Sequence, residues 1–113
     1  MFDSKEIEKV KAEHPGQRLF GGEISFIDDE HNPVDVEFIY RKPMVVDMEI
    51  FNKGVQKAPL EAQSNLLQSL IVYPDPKVVM DKVVGYPPVV ANFVDEAIMP
   101  FFGSAIKSRS YQI

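Results

Sequence analysis

The chain contains no cysteine and no threonine. The first absence excludes disulfides, thiolate nucleophiles and thiolate metal sites, and it fits a reducing cytoplasm. The second removes one hydroxyl nucleophile, and the serines are poorly placed to supply another. Ser104, Ser108 and Ser110 fall in the C-terminal stretch, Ser64 and Ser69 lie on a leucine-striped segment without a neighbouring histidine, and none stands in a G-x-S-x-G elbow. Gly21-Gly22 has neither the further glycine nor the lysine of a phosphate-binding loop. Clustered basic charge is also missing. Lys107 with Arg109 comes nearest, and a formal net charge of −5 argues against a nucleic-acid partner. No apolar run approaches the ~20 residues that span a bilayer, and MFDSKEIEKVK lacks the apolar core of a signal peptide. The expectation is a protein without membrane contact that remains in the cytoplasm.

What is present suits a single globular unit. The 113 residues are 45% apolar and 26% charged, enough to build one hydrophobic core. Residues 3 to 13 predict a short solvated helix. Asp3 caps it, Glu6 stands three residues on, Phe2 and Ile7 are spaced as a staple, and His14-Pro15-Gly16 stops it. The period then changes from helical to alternating. In VDVEFIYR, Val34, Val36, Phe38 and Tyr40 alternate with Asp35, Glu37, Ile39 and Arg41; in LFGGEISFI, Ile24 and Phe26 alternate with Glu23 and Ser25. With the polar segment from Asp28 to Pro33 between them, the two runs predict an antiparallel hairpin over about 18–41, bulged or bent at Gly21-Gly22.

Helical spacing dominates from there. Pro43 suits a first helical position and Gly54 a residue past a helix end, with Met44, Met48 and Phe51 on one face. A second helix opens near Pro59 and carries Leu66, Leu67, Leu70 and Ile71. A third opens at Pro76 after the cap Asp75, and a fourth near Pro88, where Gly85 can take a left-handed terminating conformation. The tyrosines of the two Tyr-Pro corners, Tyr73-Pro74 and Tyr86-Pro87, are expected to lie over the helix junctions with their hydroxyls in water. Pro100 ends or kinks the last helix near Met99. The fold class expected is therefore α+β: a short N-terminal helix, an antiparallel hairpin, then a compact bundle of three or four helices. One domain spans 1–103, its helical part about 43–103, and 104–113 forms a flexible tail.

Asp28, Asp29, Glu30 and His31, with Asp35 nearby, could gather around a divalent ion. The segment lacks the alternating acids, central glycine and closing glutamate of a calcium loop, and its composition also describes an ordinary turn. The expectation is a turn, with no metal, no cofactor and no catalytic residue. What stands out instead is apolar supply. The last helix pairs Val89/Val90, Phe93/Val94, Ala97/Ile98 and Phe101/Phe102, a doubled stripe that could leave a patch for a protein partner or a further copy of the chain. Tyr86, Phe93, Val94 and Ile98 are the candidate partner-binding residues.

The order of these segments resembles the small tail assembly chaperones of bacteriophages and prophages. The likeness runs over about 5–103. It rests on FIYRKP, with Arg41-Lys42-Pro43 after a strand, on a leucine-rich helix ending in Pro-Asp-Pro from Leu66 to Pro76, and on Tyr86-Pro87 followed by an apolar helix to Met99. The resemblance implies a non-enzymatic role in the bacterial host cytoplasm. There it implies binding to the aggregation-prone tape measure protein, and to the tail tube protein, during tail assembly, with no place in the mature virion. The residues alone leave two rivals open: an acidic inhibitor or immunity-type protein with one specific target, and a metal-dependent enzyme built on Asp28, Asp29 and His31.

Overall fold

In a computed structural model of the chain, which describes residues 2–102 and 112, the fold is α+β. Helix α1 (Ser4–Glu13) leads into strands β1 (Leu19–Ile27) and β2 (Pro33–Arg41). Then come α2 (Val45–Val55), α3 (Pro59–Leu70), β3 (Ile71–Tyr73), α4 (Pro76–Asp81) and α5 (Pro87–Phe93). A π-helical turn (Val94–Ile98) and a 3-10 turn (Met99–Phe102) follow α5. The expected flexible tail lies outside the described residues, Gln112 apart.

The three strands form one antiparallel sheet in the order β1-β2-β3. Strands β1 and β2 pair without interruption from Leu19↔Arg41 to Ile27↔Pro33, so Gly21-Gly22 makes no bulge. Gly22 has a different duty. A Cβ there would lie 2.5 Å from Cε2 of Phe38, whose ring lies against the glycine. The alternation behaves as its period demands: Val36, Phe38 and Tyr40 are buried in the main core with Ile24.

The third strand is the largest departure from expectation. Ile71 continues the leucine stripe of α3, yet Ile71–Tyr73 is extended and pairs with Ile39 and Tyr40. Pairing with the exposed edge of β2 satisfies backbone groups that another helical turn would have satisfied internally. The first Tyr-Pro corner thus ends a strand, not a helix.

Helices α3, α4 and α5 cover the sheet face that carries Phe38. Leu66, Leu67, Leu70, Val79, Met80, Val83, Val90, Val94 and Ile98 complete the core around it. Asp75 caps α4 by accepting from Lys77 N at 2.9 Å, and Pro76 occupies its first turn, as expected. Gly85, in contrast, does not adopt a left-handed conformation; among the described glycines only Gly16 does, with φ +79°, where it turns the chain after α1. Pro100 acts as its chemistry requires. The ladder loosens to an i→i+5 bond from Met99 N–H to Val94 O just before the proline and then tightens into a 3-10 turn.

Helix α1 lies apart from that core. Asp3 accepts from Glu6 N at 2.8 Å as predicted. Val10 is the buried residue of the helix. Val10 and Ile39 are both buried but neither belongs to the main cluster, and Ile39 points to the opposite sheet face from Phe38 and Tyr40. Tyr73 fastens the helix: its ring meets Phe2 edge-on at 5.2 Å and its hydroxyl donates to Glu6 Oε2 at 3.0 Å.

Candidate functional site

The four residues expected to meet a partner do not form a common surface. Val94 and Ile98 are fully buried, which corrects their assignment. The doubled stripe is consumed on both sides, by α3 and by the sheet, so its inner members have nothing to offer a partner in this conformation. Phe93 is half-buried, its ring edge-on to Phe38 at 5.2 Å and to Tyr40 at 5.8 Å. Tyr86 is also half-buried and does structural work. Its ring packs on Phe26 at 4.7 Å and its hydroxyl accepts from Asp29 N at 3.2 Å, tying the hairpin turn to the start of α5. Both tyrosine hydroxyls of the Tyr-Pro corners are therefore engaged by the protein.

An exposed apolar surface lies at the start of α2. Met44, Val45, Val46 and Ile50 are between 55% and 67% exposed, whereas a helix of this length in a small domain ordinarily turns such residues inward. Val46 and Ile50, four residues apart, share the outward face. The buried residue of α2 is Asp47, 7% exposed.

The rest of the inward face of α2 is apolar, with Met48, Phe51 and Val55 half-buried and Phe51 packed against the main core, and the Asp47 carboxyl beside them is clasped. Asp47 accepts from Arg41 Nη1 at 2.9 Å through Oδ2 and from Nη2 at 3.0 Å through Oδ1, a bidentate pair. Oδ2 also accepts from Met44 N at 2.7 Å, closing the first turn of α2. Nη2 of Arg41 further donates to Ser69 O at 3.3 Å, near the end of α3. One guanidinium thus joins the end of β2, the start of α2 and the end of α3. The hydrogen bonds from Arg41 hold the Asp47 carboxyl below the usual carboxylate range against the opposing effect of burial. The same bonds raise Arg41 further. Helix α2 itself starts at Val45 rather than Pro43, and Gly54 lies within it. A Cβ at Gly54 would stand 3.3 Å from Ala62 Cβ, so this glycine serves close helix packing and not termination.

Beside α2 opens a cleft of about 530 Å³ between the 16–18 segment, the end of β2 and the last turn. Met44, Val45, Met48, Phe101 and Phe102 make its apolar lining; Arg18, Arg41 and Lys42 bring positive charge to it. Arg41 is neutralised by Asp47. A second groove, of about 290 Å³, runs between α1 and the outer sheet face, with Phe2, Ile7, Leu19 and Ile39 among its walls and Gly21 in its floor. A depression of about 410 Å³ borders Phe93 and is lined by Glu23, Ser25, Asn92 and Glu96 among others.

The Asp28–His31 segment is the turn that its composition describes. Asp28 Oδ1 accepts from Glu30 N at 2.9 Å and Asn32 N at 2.8 Å, and His31 takes φ 63° to close the loop. Among the described residues no three His, Asp or Glu side chains come together as a metal site. No helix among them is long and apolar enough to cross a membrane.

The helical spacing put Met44, Met48 and Phe51 on one face of α2; Phe51 does pack against the core, but Met44 is exposed, and the exposure of Val45, Val46 and Ile50 has no mark in that pattern. The available signal was Asp47 among apolar neighbours, six residues after Arg41.

No protein-family profile matches the chain. No curated protein matches it either. Among solved structures it is similar to the uncharacterised protein rbstp2171 from Bacillus stearothermophilus, with a TM-score of 0.69 at 20% identity. The match covers 93% of this chain and 99% of that one. This likeness shows a shared fold.

Proposed function

We propose that the protein is a non-enzymatic, protein-binding assembly factor of the phage tail chaperone kind, holding a tape measure protein during tail construction. The observation that carries the proposal is the outward apolar face of α2, on a helix whose orientation is fixed by a bidentate ion pair. An amphipathic partner helix can lay its stripe across Val46 and Ile50. Because α2 is already ordered, binding costs little additional conformational entropy. A long helical partner repeats its apolar stripe, so many weakly bound copies would hold it by avidity. The contact surface proposed is thus α2; Tyr86, held at the hairpin turn, and Phe93, packed on Phe38 and Tyr40, lie outside it.

The test is co-expression with overlapping fragments of the tape measure protein encoded in the same genome. The wild-type chain should keep one or more fragments soluble and co-purify with them. Val46→Asp with Ile50→Asp should abolish co-purification while the unfolding free energy stays within the ~0.5 kcal/mol scatter of exposed sites. Fragments bound equally by the double variant would refute the α2 surface. A source genome without tail genes around this reading frame would refute the phage role.

A further inference from the structure

The two ends of the hairpin carry opposite chemistry. At the open end, exposed Arg18 and Lys42 rim the apolar cleft, and neither forms an ion pair with another described residue. At the turn end, Ile27 is 60% exposed and is followed by Asp28, Asp29 and Glu30. Each strand is nine residues long, which separates the two ends by about 30 Å. The turn is also held in shape. Its backbone is closed by Asp28 N to Asn32 O at 2.9 Å, by the two bonds to Asp28 Oδ1 and by the Tyr86 hydroxyl on Asp29 N. An apolar side chain is thus presented beside two exposed carboxylates that form no ion pair with another described residue, with little ordering left to lose on binding.

We infer that the chain associates with itself head to tail, the Ile27–Glu30 tip of one copy seating in the cleft of the next. Ile27 meets the apolar lining, while Asp29 and Glu30 meet Arg18 and Lys42. The contact joins different patches, so it leaves a free tip and a free cleft at the ends of every open assembly and propagates as a filament unless it closes as a ring. Among the described residues the tip sets an exposed apolar side chain beside two exposed acids in a turn closed by hydrogen bonds. Residues 103–113 carry Lys107 and Arg109 with no Asp or Glu. The inference stands apart from the tape measure reading, since its only partner is a second copy. A tip in a cleft buries far less than the ~1,600 Å² of a standard interface, so association belongs to high protein concentration and low salt.

Sedimentation velocity on the full chain tests it, from about 10 µM to about 1 mM, at ~0.05 M and ~0.5 M salt. The wild type should sediment faster with concentration at low salt, without levelling at a dimer, and as a monomer at high salt. Asp29→Lys/Glu30→Lys alone and Arg18→Glu/Lys42→Glu alone should each stay monomeric, because tip and cleft then carry the same sign. An equimolar mixture should regain assembly: the reversed tip fits the reversed cleft, and the native tip fits the native cleft. Should a reversed variant fail to fold, Asp29→Asn/Glu30→Gln and Arg18→Gln/Lys42→Gln should each weaken association. A monomeric wild type throughout, variants that associate as the wild type does, or a mixture of folded variants that stays monomeric would each overturn the inference.

Discussion

Two adjacent glycines should respond oppositely to the same substitution. In Gly22→Ala the new Cβ would stand 2.5, 2.7 and 3.1 Å from three carbons of the Phe38 ring. Carbon atoms prefer about 3.5–4.0 Å, so the nearest overlap is roughly 1 Å. The ring has nowhere to go, being fully buried with Phe93 at 5.2 Å and Tyr40 at 6.0 Å from its centroid. Overpacking of this kind costs about 1–3 kcal/mol. The reduced freedom of the unfolded chain offsets ~0.4–1 kcal/mol of it. At Gly21 a Cβ would meet nothing within 4 Å and the backbone is not left-handed, so only the stabilising contribution remains. Urea denaturation of both variants should show Gly22→Ala destabilised by about 1–2 kcal/mol and Gly21→Ala unchanged or slightly stabilised. Equal effects at the two sites, or a harmless Gly22→Ala, would refute the packing of Phe38 against this strand.

Asp47→Ala removes the bidentate pair and strands Arg41, which keeps some solvent contact at 20% exposure. The loss should be about 2–4 kcal/mol, read by thermal melting. The folded Asp47 pKa is depressed, so its contribution is present above the unfolded carboxylate value near 4 and is lost as pH falls through the lower folded value. Acid titration of wild type against the variant should show the stability gap closing only below about pH 4. Tyr86→Phe should cost about 0.5–1.5 kcal/mol, and amide exchange at Asp29 should quicken more than at Val36. Tyr73 hydrogen-bonds Glu6, which raises its phenol above the ordinary value. Its stabilising effect is therefore complete below pH ~10 and lost as pH rises through the folded value. In an absorbance titration, Glu6→Gln should bring one late-titrating phenol back to an earlier pH; an unchanged curve would show that the Tyr73–Glu6 bond is absent.

Much of the fold was legible where local chemistry decides. Asp3, Asp75 and Pro76 marked helix starts, and the period-two pattern from Val34 to Tyr40 marked a strand and its buried face. The third strand was illegible because Ile71 satisfies a helical stripe, and only the distant Ile39–Tyr40 edge makes it extended. Gly22 and Gly54 looked like a bend and a helix end because a sequence does not state which neighbour needs the space. The surface was harder still. Periodicity marks apolar stripes without saying which are covered, so Val94 and Ile98 looked available and Val46 and Ile50 did not. Arg41 and Asp47 were readable as residues, but not as the clasp that joins the end of β2 to α2 and α3.

The short strand β3 has a consequence for how the chain emerges from the ribosome. Two strands alone make a marginal ribbon, and helices of six to twelve residues do not persist unaided. The Val36–Phe38–Tyr40 face stays uncovered until β3 can pair and the segment through Ile98 can close over it. At ~5–20 residues per second, that leaves a nascent apolar hairpin waiting several seconds for its cover.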